Sequence, residues 1–160
     1  MTASLSAAAA AVAAMLALAG VDEQSAPWRV EVTTYGGLSG RGAGAVKVRS
    51  GGEIEVVTLS GQRCERRLET TALAKLEEAL RRARPARWRS RYFMPDNPTG
   101  CCDQVSTTLA LIRGTGPAEK RFVTGWFDES RRLVPHDALA LQEAAMDLAL
   151  QDQGCAGKGR

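Results

Sequence analysis

Four cysteines, one His–Asp neighbour pair, a cluster of arginines and a glycine-rich stretch are the parts of this 160-residue sequence that could do chemistry. Cys64, Cys101, Cys102 and Cys155 are even in number. In an exported chain that reads as two disulfides, with three connectivities open. Zinc needs ligand pairs spaced like Cys-x2-Cys. Cys101 and Cys102 are adjacent and His136 is far from every cysteine, so neither a metal nor another cofactor is expected. Adjacent cysteines form a strained ring with each other and more readily staple one loop to two neighbours.

His136-Asp137 sets an acid beside a base. Nucleophilic catalysis would also need a placed serine, and Gly37-Leu38-Ser39-Gly40 has the wrong spacing for a nucleophile elbow. His136 follows Pro135 at a helix start, which points to a structural role. With no convergent acid, base and nucleophile, an enzyme is not expected. The glycine-rich stretch 36–44 lacks the Lys-Ser/Thr of a phosphate loop. It also precedes a strand, so no helix N-terminus is there to hold an anion. It reads as a mobile hairpin loop, with Leu38 and Arg41 as candidate contact residues.

Arg81, Arg82, Arg84, Arg87, Arg89 and Arg91 place six arginines in eleven positions, interleaved with Trp88 and Tyr92. Such a run could bind nucleic acid through phosphates and stacking, but a net charge of +3 and export argue against that partner. What remains is a solvated helix end whose cations suit the dipole, or a basic patch of Arg84, Arg87, Arg89 and Arg91 that meets an acidic partner or anionic surface. The segment after it, 92–103, combines apolar residues, Pro95, Pro98 and two cysteines. A proline-stiffened, covalently tethered loop loses little entropy on binding. Tyr92, Phe93, Met94, Asp96 and Asn97 are its candidate binding residues, against the plainer reading of a stapled connection. Pro98 excludes Asn97 as a glycosylation acceptor.

Short strands and two helices must position these groups. Residues 28–35 alternate and are rich in β-branched and aromatic types. A second strand over about 45–50 sets Val46 and Val48 against Lys47 and Arg49. Gly51-Gly52 is a hairpin signal, a third strand runs over about 53–59, and 64–68 adds a short fourth. Thr70 or Thr71 caps a helix with Leu73, Leu76, Leu80 and Ala83 on one face, stopped by Pro85. Glu77–Arg81 and Glu78–Arg82 are i,i+4 pairs. Residues 86–103 have no period and read as a long loop. Strands at 104–113 and 119–127 and a helix at 137–151 close the order βββ(β)αββα. Short turns imply antiparallel pairing, so the class is α+β: an antiparallel sheet of about five to six strands with two helices packed on one face.

The N-terminus bears on location. Residues 7–19 form an apolar run of thirteen, shorter than the roughly 20 that a membrane helix needs. Ala17-Leu18-Ala19 supplies a small-x-small cleavage pattern. The expected organisation is a signal peptide over 1–20, a linker over 21–27, one disulfide-stapled domain over 28–155 and a disordered tail over 156–160. Export to the periplasm or medium follows, with no integral span. Charged residues at 24% fit a globular domain.

Alternation backward from Val105, Leu109 and Leu111 puts Cys101 on the helix side and Cys102 on the other. That favours Cys101–Cys155 with Cys64 in a turn paired to Cys102; the swapped pairing is the alternative. The strand ending in Tyr-Gly-Gly-Leu-Ser-Gly, the hairpin, the Leu-rich helix, the Asp-led strand pair and the closing helix together resemble small bacterial proteins of the emfourin type. The match spans residues 28–150 in element order and Gly36, Gly37, Leu38 and Gly40 individually. The resemblance implies inhibition of a thermolysin-like metallopeptidase and assigns no inhibitory residue. The expected function is an exported protein-binding domain, with a secreted peptidase as the partner. The alternative is a periplasmic or cell-surface domain with a structural or anionic-ligand role.

Overall fold

The period-two segments of the sequence become strands and the Leu- and Ala-striped segments become helices. The structure is a computed structural model and describes residues 26–36, 44–58, 60–97 and 104–150. The seven strands are β1 (Trp28–Tyr35), β2 (Gly44–Arg49), β3 (Glu53–Val57), β4 (Arg63–Arg67), β5 (Arg91–Tyr92), β6 (Ser106–Arg113) and β7 (Lys120–Phe127). The two helices are α1 (Thr70–Arg82) and α2 (His136–Leu150). One sheet runs in the order β4-β3-β2-β1-β6-β7-β5.

The class is α+β as expected, but the sheet is larger and mixed. Six strands pair antiparallel, and the seventh, β5, pairs parallel to β7 through Arg91–Gly125 and Tyr92–Trp126. A two-residue strand has no period to read, so it was hidden inside the expected 86–103 loop. Cys64 also differs from expectation. It lies on β4 opposite Val56, not in a turn. It is disulfide-bonded; Cys101, Cys102 and Cys155 lie outside the described residues. So do the leader, most of the linker, the tail, Leu38 and Arg41.

Helix α1 buries Leu73, Leu76, Ala79 and Leu80, and α2 buries Ala138, Leu141, Ala144, Ala145 and Leu148. Both stripes follow i, i+3, i+6, i+7, the spacing of a one-sided helix. They cover the sheet face that presents Val30, Val32, Val46, Val48, Ile54, Leu109, Leu111 and Trp126. Glu69 takes the N-cap position of α1 without a side-chain bond, so neither Thr70 nor Thr71 caps it. Glu78 takes both Arg82, at 2.6 Å, and Arg81. Arg81 therefore turns to the residue three positions back and not to Glu77. Among the described residues no helix is long and apolar enough to cross a membrane.

The opposite face of the sheet carries charge. Glu31 is shared by Arg29 (2.8 Å) and Arg121 (3.4 Å), and Glu55 by Lys47 and Arg63, both at 3.2 Å. Ile112 sits between Arg29 and Arg121 in the register, and Ala110 between Glu31 and Val123. Both are buried, since long arginine stems cover apolar neighbours while their heads stay paired.

Candidate binding site

Strand direction decides which loops meet. β1 ends at Tyr35, β6 starts at Ser106 beside it, and β7 ends at Phe127 beside Ser106. β5 runs parallel to β7 and ends at Tyr92. The segments that begin at Gly36, Phe93 and Asp128 therefore leave from one end of the sheet. Two stretches that sequence reading kept apart, the glycine-rich loop and the proline loop, are rooted together.

The roots are tightly fixed. Gly36 has φ +104°, and a β-carbon there would lie 2.4 Å from the Gln104 carbonyl oxygen. Only glycine accepts both that dihedral and that approach. Ser106 Oγ donates to the Tyr35 carbonyl at 3.1 Å, and the Asp128 N–H donates to the Val105 carbonyl at 3.1 Å.

The described start of the proline loop is braced. The Asn97 N–H donates to the Met94 carbonyl at 3.0 Å, which folds Pro95 and Asp96 into a tight turn. Its side chain donates to Glu129 Oε1 at 3.0 Å, and Arg132 reaches the Met94 sulfur at 3.7 Å. Both partners lie on the 3-10 segment Asp128–Leu133. Sequence reading passed over that segment because Asp-Glu-Ser-Arg-Arg-Leu has no apolar period. Phe93 and Leu133 are each more than two-fifths exposed and Tyr35 is three-quarters exposed. Phe93 enters the braced turn and Leu133 ends the segment that braces it, while Tyr35 lies across the sheet end on β1.

Tyr92 does not belong to this surface. It is buried in the core, and its hydroxyl accepts the Arg89 N–H at 3.1 Å. Alternation at Arg91–Tyr92 turns one side chain out and the other under the helices. Of the remaining loop candidates, Phe93 and Asp96 are exposed, while Met94 and Asn97 are half-buried and hold the loop's shape.

The basic patch is exposed at Arg84, Arg87, Arg89 and Arg91. Among the described residues no carboxylate pairs with these four guanidinium groups. The His136–Asp137 pair resolves into structure. Asp137 Oδ2 accepts the Arg84 N–H at 2.7 Å and the Trp88 indole N–H at 3.1 Å. That one carboxylate ties the chain leaving α1 to the first turn of α2, where the positive end of the helix dipole also favours it. His136 is exposed.

A groove of about 320 Å³ lies at the other end of the sheet, lined by Trp28, Glu77, Leu80, Arg81 and Arg113. Arg113 is engaged there, donating to the Leu80 carbonyl at 3.1 Å. Among the described residues no group of three or more His, Cys, Asp or Glu side chains is placed to hold a metal ion. Comparison with protein-family models matches no family, and comparison with curated proteins finds no match.

Proposed function

We propose that this chain is an exported protein-binding domain that engages its partner through the loop end of the sheet, and that the partner is a secreted thermolysin-like metallopeptidase. The observation that carries the reading is the common root, at one end of the sheet, of the segments that begin at Gly36 and Phe93, with Tyr35 and Phe93 exposed where β1 and β5 end and Leu133 exposed on the segment that braces the turn after Phe93. Preformed loops lower the ordering cost of association. The emfourin-type run begins at Gly36, at this same end, and the resemblance supplies the narrower identity of the partner. Export is supported by the apolar leader at 7–19 and by the disulfide at Cys64.

The test is inhibition. Full-length secreted protein titrated against a thermolysin-type metallopeptidase is expected to abolish peptide hydrolysis at near-stoichiometric ratio and to leave a serine peptidase untouched. Full activity at tenfold excess contradicts the metallopeptidase reading. Mass spectrometry of the same secreted material is expected to find its N-terminus between residues 19 and 23; retention of Met1 contradicts export by this leader.

The unpaired arginines at 84, 87, 89 and 91 favour a second reading, in which the domain binds an anionic surface. Charge reversal at Arg87 and Arg89 then slows association mainly at low ionic strength.

A further inference from the structure

The outer edge of β7 is open over half its length, and its hydrogen-bonding parity can be read from three backbone bonds. Gly114 donates its N–H to the Pro27 carbonyl and Asp128 donates to the Val105 carbonyl, while Gly125 donates outward to the Ser90 carbonyl. In an antiparallel ladder, inward and outward groups alternate along the strand. The even-numbered residues of β7 therefore bond to β6, and Arg121, Val123 and Gly125 direct their N–H and C=O groups away from the sheet. β5 and Ser90 cover Gly125. Among the described residues no backbone partner lies against Arg121 or Val123.

Charge selects what can fill that edge. Arg89 and Arg91 flank Ser90, beside the closed end of the gap, and both are exposed and unpaired with any carboxylate among the described residues. Arg121 lies in the gap and shares Glu31 with Arg29. Glu119, at the far end, and Asp128, beyond the end that β5 covers, are the acidic side chains next to β7 in sequence. A second copy of this chain, paired so that both outward residues bond, would set the two Arg121 side chains diagonally across the seam and bring a second Arg89 and Arg91 to the same edge, adding cation to cation. An acidic segment meets Arg89 and Arg91, unpaired with any carboxylate among the described residues, and Arg121, whose partner Glu31 also serves Arg29.

We propose that the Arg121–Val123 edge of β7 accepts an extended acidic segment of another protein as an added strand, in line with β5 and with its carboxylates on Arg89, Arg91 and Arg121. Four main-chain hydrogen bonds, two from each of Arg121 and Val123, hold the strand in the manner of sheet augmentation. This surface is separate from the loop end, so the two readings stand or fall independently.

The probe is a capped seven-residue peptide alternating Glu with Thr or Val. Isotope-labelled full-length protein is titrated with it at low salt, beside a Lys-for-Glu peptide and an acidic peptide N-methylated at alternate residues. The acidic peptide alone is expected to shift the Arg121 and Val123 amides and slow their hydrogen exchange at least threefold. Arg91→Glu is expected to weaken its binding threefold or more. Val123→Pro, which removes an outward donor and leaves the β6 ladder intact, is expected to abolish it. Three results overturn the proposal: equal binding of the N-methylated peptide, equal binding of the Lys peptide, or slowed Val123 exchange on raising protein concentration without peptide, which means a second copy fills the edge. The exchange measurement on the unaltered protein decides the matter should Val123→Pro fail to fold.

Discussion

Gly36 and Gln104 approach so closely that a β-carbon on the glycine would lie 2.4 Å from the glutamine carbonyl oxygen. This contact joins the root of the glycine-rich loop to the strand that follows the proline loop. Neither backbone shifts freely, since Tyr35, one residue from Gly36, and Ser106, two residues from Gln104, are paired with each other. Gly36→Ala is therefore expected to cost about 1–3 kcal/mol, from the left-handed dihedral and the clash together. Thermal unfolding checks it. Gly61→Ala, at φ +80° with nothing within 4 Å of the new carbon, is the milder comparison, because it carries the dihedral strain without the clash.

Asp137 is expected to act as a clamp. Removing its carboxylate in Asp137→Ala leaves the half-buried Trp88 indole N–H and the Arg84 N–H without their acceptor. The expected loss is about 1–3 kcal/mol for groups left unsatisfied, read from denaturant unfolding. His136→Ala, at an exposed position, is expected to change stability by no more than about 0.5 kcal/mol. Equal effects of the two substitutions would contradict the assignment of the pair to structure.

The exposed ion pairs give a sign to the pH dependence. Glu78 is held below the usual carboxylate range by its hydrogen bond to Arg81 and by the charge of Arg82. Its contribution is present above the ordinary carboxylate pKa and is lost as pH falls through the lowered value. Lys75 is held above the usual lysine range by its hydrogen bond to Asp147. That contribution is present below the ordinary lysine pKa and is lost as pH rises through the raised value. Both pairs lie at the surface, so the effects are small and screened by salt. Glu78→Gln is expected to flatten the acid limb of the stability profile and Asp147→Asn the alkaline limb. Loss of neither slope at low salt would show that these pairs contribute nothing in solution.

Cys64 faces the helices, because it pairs with Val56 in the parity of Val46 and Ile54. That position removes the premise that assigned Cys64 to Cys102, so Cys101–Cys155 with Cys64–Cys102 and the swapped pairing, Cys64–Cys101 with Cys102–Cys155, are both carried to experiment. Non-reducing peptide mapping distinguishes the two. Reduction is expected to remove about 2–4 kcal/mol per bridge.

The legible parts of this fold are those with period. Val30, Val32, Val46 and Val48 alternate with charged residues on the next positions, and the Leu stripe of α1 repeats at helical spacing; both emerge at the expected places. Tyr92 was misread for a physical reason. A lone tyrosine in an aperiodic, proline-bearing stretch reads as exposed, and only the parallel pairing of β5 with β7 turns it under the helices. That pairing joins residues more than thirty positions apart, which no local pattern encodes. The bracing by Glu129 and Arg132 was hidden in the same way, since their partners lie in a loop distant in sequence. The candidate loops themselves were visible in the residues; their convergence is a property of strand order.

The most direct measurement of the central claim compares inhibition by two variants of the full-length protein. Phe93→Asp with Leu133→Asp puts charge on the apolar residues of the loop end, both already exposed, so the fold is expected to survive. Arg67→Gln alters an exposed residue at the opposite end of β4. The account predicts that the double variant weakens inhibition of a thermolysin-type metallopeptidase at least tenfold at unchanged melting temperature, while Arg67→Gln inhibits like the parent. Equal inhibition by the parent and the double variant would contradict binding through the loop end.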